Sequence, residues 1–292
     1  MLFLANEHVA WHLRALIVGS LLLMGCKPAA STTQPHRKLL RLAVTTSTRD
    51  SGLLDILVPV FEKGHNARVD VIAVGTGKAL VLGEGGDVDV VLVHARGLED
   101  AFMAAGHGSR REDVMYNTFE LLGPADDPAG IQGRLAFDAL SRIAATQAKF
   151  VSRGDQSGTH QRELDLWKAA GGRPDWTGYL ESGQGMGETL IMADQMQAYV
   201  LADRGTYLTF RDKIDLVSLA AQSPQMQNPY GVIVVSSAKH AQANERLAQQ
   251  FVDFLISERG QQLIGRFKVN GEVLFHPLRL TEPESTQASG ER

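Results

Sequence analysis

A single cysteine, Cys26, is all that the 292 residues contain. No internal disulfide can close, and no set of thiols exists to hold a zinc ion. A dominant charge is missing too: 29 Lys and Arg stand against 33 Asp and Glu, a formal net charge of −4. That balance excludes the broad basic footprint of a nucleic-acid-binding protein, and it mildly repels anions, so any anionic ligand must be held by a local arrangement. The nine histidines are scattered without metal-ligand spacing, so no metal cation is expected. What remains is ordinary for a soluble globular chain, 44% hydrophobic and 21% charged, long enough to bury one or two cores.

The first 25 residues read apart from the rest. Arg14 precedes ALIVGSLLLM, Ala15 to Met24, an apolar run too short to cross a bilayer comfortably but suited to the central region of a signal peptide. It ends in LMGC, and Cys26 after a small Gly resembles the lipobox of bacterial lipoproteins, with Met24 departing from the usual residue. The expectation is a leader over residues 1–25, acylation at Cys26 as the membrane anchor in preference to a plain secretory signal or an uncleaved anchor, and a small, polar, Pro-containing tether over 26–40.

From Leu42 onward the elements alternate as an α/β protein does. LRLAVTTS reads as a buried strand, and GLLDILVPVFEKG as a helix with Leu53, Leu57, Val60 and Phe61 on one face. ARVDVIAVGTG and DVDVVLVHA are further strands, and LEDAFMAAGHG is helical. YNTFELLGPADDPAG and NPYGVIVVSS, apolar runs bounded by Pro and Gly, enclose a second α/β series: strand KFVSRGD, helix THQRELDLWKAAG, turn SGQGMGE, helix TLIMADQMQAYVLADRG and strand KIDLVSL. Two lobes joined by two crossing strands follow, with one last helix, ANERLAQQFVDFLISERGQQLIGRF, packed back on the first lobe and a polar tail at 281–292.

SRGDQSGTH, Ser152 to His160, carries the most chemistry. A strand ends there and a helix starts near Thr159, which puts Ser157 at the N-cap. Free backbone N–H groups, the approach permitted by Gly158, the hydroxyls of Ser157 and Thr159 and the fork of Arg153 suit an oxyanion, with Asp155 holding the guanidinium. A serine hydrolase, an adhesion-type RGD loop and a plain strand-to-helix junction are the alternatives; Gln156 breaks the protease pattern and no G-x-S-x-G elbow is present. VTTSTRDSG is a second hydroxyl-rich strand-to-helix junction, with Thr46 and Ser47 in it, and VGTGKAL a third, with Thr76 and Gly77. His94 ends a strand where side chains point into an α/β cleft, as a ligand donor or a structural histidine. SGQGMGE mimics a dinucleotide fingerprint, but no strand is expected immediately before it.

Together these residues resemble the periplasmic solute-binding proteins of bacterial ABC importers, and within them the tungstate-binding family. The likeness runs from LAVTTSTRDSGLLDILVPVFE through VGTGKAL, DVDVVLVHA, VMYNTFELLGPADDPAG and SRGDQSGTH to SGQGMGETL and ADRGTYL, with SRGDQSGTH and TTSTRDSG the most specific parts. It implies an α/β type II periplasmic-binding fold, with lobe I over 41–120 and 232–280, lobe II over 121–231, and closure by hinge bending. It implies a non-enzymatic, cofactor-free, monomeric receptor that hands an oxyanion to an ABC permease. The expected shell is Thr46 and Ser47 from one lobe and Arg153, Ser157, Gly158 and Thr159 from the other, with Thr76, Gly77 and His94 nearby. Phosphate-binding relatives carry an Asp where this chain has His94. A site made only of donors favours tungstate, molybdate or sulfate over hydrogen phosphate, whose proton needs an acceptor; Asp155 could serve as that acceptor, so a phosphate-binding protein of the same fold stays an alternative. Tungstate over molybdate rests on the resemblance alone.

Overall fold

A computed structural model of the chain describes residues 37–280, apart from Gln156 and Pro174. The leader, Cys26, most of the tether and the tail lie outside the described residues. β1 (Lys38–Thr45) opens a series of α1 (Thr46–Asp50), α2 (Leu53–His65), β2 (Ala67–Val74), α3 (Thr76–Gly85), β3 (Val90–Val93) and α4 (Arg96–Ala104). The long β4 (Gly108–Gly123) crosses into a second series, α5 (Ala136–Thr146), β5 (Phe150–Ser152), α6 (Gly158–Ala169), β6 (Tyr179–Glu181), α7 (Met186–Met196), β7 (Val200–Asp203), α8 (Arg204–Phe210) and β8 (Val217–Ser218). β9 (Gln227–Val235) crosses back to α9 (Glu245–Ile256), α10 (Glu258–Arg266) and the short β10 (Lys268–Val269), β11 (Glu272–Val273) and β12 (His276–Pro277).

The first lobe is a sheet in the order β12-β4-β9-β3-β1-β2, with β1 parallel to β2 and β3, and β9 antiparallel to β3 and β4. The period-two alternation of β1 sends Leu40, Leu42 and Val44 toward α2, α9 and α10, and Ala43 toward α3. Leu57 and Phe61 of α2 meet Phe251 of α9 on one face; Leu80 of α3 and Phe102 of α4 fill the other. In the second lobe β7 and β8 pair with the far end of β4, and β5 runs parallel to β6. Phe119 and Leu121 of β4 pack with α5 and α6, whereas Leu122 packs with α7. Each sheet is thus covered by helices on both faces, which leaves the strand ends and helix starts free to line a site.

Three sequence expectations change. The last helix is two, because Ser257 leaves helical geometry (ψ 157°), caps α10 by accepting from Gly260 N, and donates its hydroxyl to Phe254 O. The helix expected over TLIMADQMQAYVLADRG stops at Met196, where Gln197 adopts φ 51°, and its remainder forms β7 and the start of α8. A strand does precede SGQGMGE: β6 ends at Glu181, parallel to β5. It was illegible because YLE is too short to show any periodicity.

β4 and β9 are the crossing strands, and their pairing places Asn117 directly opposite Asn228. Both asparagines are buried at the crossing point. Tyr230, two residues on, joins the first-lobe core, and Phe119, two residues from Asn117, joins the second.

Candidate functional site

The ends of β1, β3 and β5 and the starts of α3, α4 and α6 converge on a cleft of about 830 Å³. Thr46, Ser47, Thr76, Gly77, His94, Arg153, Ser157, Gly158 and Thr159 all line it. Residues as far apart in sequence as Thr45 and Tyr230 are brought together there by the crossing strands.

On the first-lobe wall the hydroxyl run divides in two. Thr45 and Thr48 are buried, with their hydroxyls 2.6 Å apart, and Thr45 Oγ1 caps α1 by accepting from Thr48 N at 3.3 Å. Thr46 and Ser47 are exposed toward the cleft, Ser47 Oγ lying 3.2 Å from Thr45 Oγ1. The buried pair therefore shapes the turn, and the exposed pair is available to a ligand.

On the second-lobe wall the chain leaves β5 through Gly154, whose φ of +63° suits glycine and turns Asp155 back on Arg153. Arg153 and Asp155 form an ion pair, and the other Asp155 oxygen accepts from Ser157 N at 3.1 Å. Burial alone would raise the Asp155 pKa; hydrogen bonds from Ser157 and the Arg153 charge outweigh it and hold the carboxyl below its ordinary value. Ser157 Oγ accepts from His160 N at 3.3 Å and so caps α6 as the sequence suggested. Arg153 Nε is buried and has no hydrogen-bond partner among the described residues. An N–H in that position is costly unless an acceptor arrives.

His94 joins the two walls. A Cβ on Gly158 would lie 3.3 Å from His94 Cε1, so glycine is what lets the start of α6 approach the ring. His94 Nδ1 is 3.1 Å from Asn228 Oδ1, and its ring leans on Tyr230 at 4.7 Å between centroids. Burial pushes the His94 pKa down, against the Asp203 charge and the Asn228 hydrogen bond.

Several lining residues escaped the sequence reading, among them Lys78, Arg162, Asp203, Asn228 and Tyr230. Arg162, one turn into α6, donates to Gln227 O at 3.3 Å with its guanidinium 5.9 Å from the Phe119 ring. Asn228 and Tyr230 were visible only as part of an apolar strand; the polar Asn just before that apolar run was the one available signal. SGQGMGE does not line the cleft. Ser182 instead supports the wall from behind, its Oγ lying 2.7 Å from Thr189 Oγ1 and donating to Arg153 O at 3.2 Å. A second, more open cavity of about 650 Å³, next to the Arg204–Glu272 ion pair, contains none of the expected residues.

Hydroxyls, helix-start N–H groups and a guanidinium make this a cleft for an anion rich in acceptors. Among the described residues no group of three or more His, Cys, Asp or Glu is placed to hold a metal cation.

Known proteins point the same way. The profile of the PBP superfamily domain matches residues 29–259. The tungstate-binding protein TupA of Peptoclostridium acidaminophilum is 44% identical over 274 residues, covering 90% of this chain and 96% of that protein. Among solved structures, the tungstate-binding protein TupA of Desulfovibrio alaskensis G20 is 42% identical with a TM-score of 0.80, over 83% of this chain and 100% of that one. The tungstate ABC transporter structure from Geobacter sulfurreducens is 52% identical with a TM-score of 0.71, over 78% of this chain and 98% of the other.

Proposed function

The chain belongs to the PBP superfamily, with its type II periplasmic-binding fold, and within it to the family of the tungstate-binding proteins; from that premise we propose that it captures tungstate for an ABC importer. The oxyanion sits in the cleft, and the loaded protein delivers it to the membrane permease. The observation that carries this reading is the Arg153 Nε–H, which is buried without a partner among the described residues, beside Asp155 and the start of α6 in the cleft that the exposed Thr46 and Ser47 also line. Thr46 and Ser47 supply neutral donors. Arg153 supplies charge, and Ser157, Gly158 and Thr159 supply hydroxyl and backbone donors.

Tungstate is fully deprotonated near neutral pH and only accepts hydrogen bonds. Two of the carboxylates that line the cleft are already engaged: Asp155 with Arg153 and Ser157 N, and Asp203 with Thr206 N and Thr206 Oγ1 at 2.9 and 2.8 Å. Engaged in this way, neither carboxylate is free to accept the proton of hydrogen phosphate, which favours the oxyanions without one. Molybdate has the same charge and nearly the same size and is the second reading. Catalysis is not part of the proposal: Ser157 Oγ serves as a helix cap, and the relatives are binding proteins of transporters.

The remaining parts of the proposal concern motion and location. The lobes, 41–120 with 232–280 and 121–231, close on the ligand by bending at β4 and β9. The protein works as an extracytoplasmic monomer held to the membrane by acyl chains on Cys26. Titration calorimetry with tungstate, molybdate, sulfate and phosphate in one non-phosphate buffer tests the assignment. Tight one-to-one binding of tungstate with phosphate silent supports it; no heat from tungstate removes it.

A further inference from the structure

A continuous hydrogen-bond chain runs through the crossing point of the two lobes. Asn117 Nδ2 donates to Tyr230 Oη at 3.3 Å, and Asn228 Nδ2 donates to Asn117 Oδ1 at 2.8 Å. Asn228 therefore presents its carbonyl oxygen to His94, and the His94 ring must carry its proton on Nδ1. A neutral imidazole with its proton there has a lone pair on Nε2. In a cleft built to receive a fully deprotonated oxyanion, that lone pair repels the ligand.

We propose that His94 takes up one proton when the cleft captures such an oxyanion, so that an imidazolium completes the ligand shell. The inference rests on the oxyanion reading above. The proton comes from solvent and forms an N–H bond at Nε2, while the ligand stays fully deprotonated and Nδ1–H keeps its bond to Asn228. Charge supports the step. Arg153 is paired with Asp155, so a dianion meets less positive charge than the guanidinium alone suggests. Among the charged groups that line the cleft, Asp203 acts on the ring and favours an imidazolium, Arg96 of α4 is paired with Asp100, and Asp165, Lys78 and Arg162 complete the lining. Tyr230 of β9 also faces the ring and stays neutral, since burial raises its pKa. Before ligand arrives, burial keeps His94 neutral.

The test is calorimetric titration of the full chain with sodium tungstate, near neutral pH, in buffers of different ionisation enthalpy. Uptake of one proton per tungstate is expected, with affinity falling by up to tenfold per pH unit between the free and bound His94 pKa values. His94→Gln is expected to bind more weakly and take up no proton. Asn228→Asp still accepts from Nδ1–H but charges the ring beforehand, so uptake is expected to shrink toward zero while binding persists. Tight binding without proton uptake in the unaltered protein overturns the proposal. Uptake that survives His94→Gln overturns it as well, by placing the proton elsewhere. No binding of tungstate at all removes the parent reading and this one together.

Discussion

The first-lobe wall of the cleft is neutral and short, whereas the second-lobe wall is charged and built in depth. Thr46 and Ser47 stand at the start of a five-residue helix and rest on the buried Thr45–Thr48 pair. Arg153, Ser157, Gly158 and Thr159 stand where a twelve-residue helix begins, with Asp155 bracing the arginine and Ser182 supporting the loop from behind. A longer helix aligns more peptide dipoles toward its N-terminus, and a braced guanidinium loses less freedom when a ligand arrives. Most of the binding energy is therefore expected from the second wall, with the first supplying geometry and closure.

Substitutions on the two walls test that division. Arg153→Ala is expected to have the largest effect, weakening tungstate binding at least tenfold in calorimetry by removing a charge-assisted pair; unchanged affinity would take Arg153 out of the shell. Gly158→Ala comes next, at about tenfold, because the new Cβ presses on a ring pinned by Asn228 and Tyr230. Small-angle scattering checks it: the wild type compacts on saturation with tungstate, and the variant compacts less. Thr46→Ala and Ser47→Ala each remove one neutral donor and are expected to cost about 0.5–1.5 kcal/mol, a few-fold in affinity. A loss from Ser47→Ala as large as that from Arg153→Ala would reverse the ranking of the walls.

The smallest effect concerns stability. Glu163 lies on the buried face of α6, and burial raises its pKa against the hydrogen bond donated by Tyr179 at 2.7 Å. A carboxyl with a raised folded pKa keeps its proton in the fold after the unfolded chain has lost it, so its contribution to stability declines as pH rises between the two values. Glu163→Gln keeps an acceptor for Tyr179 and never ionises. It is expected to raise the melting temperature by about 2–4 °C at neutral pH, with no gain below the ordinary carboxylate range. A gain that is the same at acid and neutral pH would show that folding does not shift the Glu163 pKa. Asp155 has the opposite sign: its lowered pKa stabilises the fold above the ordinary carboxylate value, a contribution lost only as pH falls through the folded one.

Legibility followed the range of the forces involved. Strands and helices with clear periodicity, such as β1, α2 and β9, were visible because side-chain alternation is a local property. The Ser157 cap was visible because capping joins residues three apart. Breaks within long apolar patterns were missed: Ser257 divides the last helix because Phe254 O and Gly260 N satisfy its hydroxyl, and β7 leaves the helical pattern to pair with β4. The same limit hid Asn228, whose partners Asn117 and His94 are 111 and 134 residues away.

By itself the sequence determined the α/β alternation, the hydroxyl-rich strand-to-helix junctions and the arginine beside one of them, since each depends on neighbours a few residues apart. Only the tertiary structure decided that these junctions face one another across a single cleft, which hydroxyls turn inward and which outward, and that His94 touches both Gly158 and the crossing strands. The reason is physical: β4 and β9 carry the chain between lobes, and their pairing is fixed by packing between residues more than a hundred positions apart.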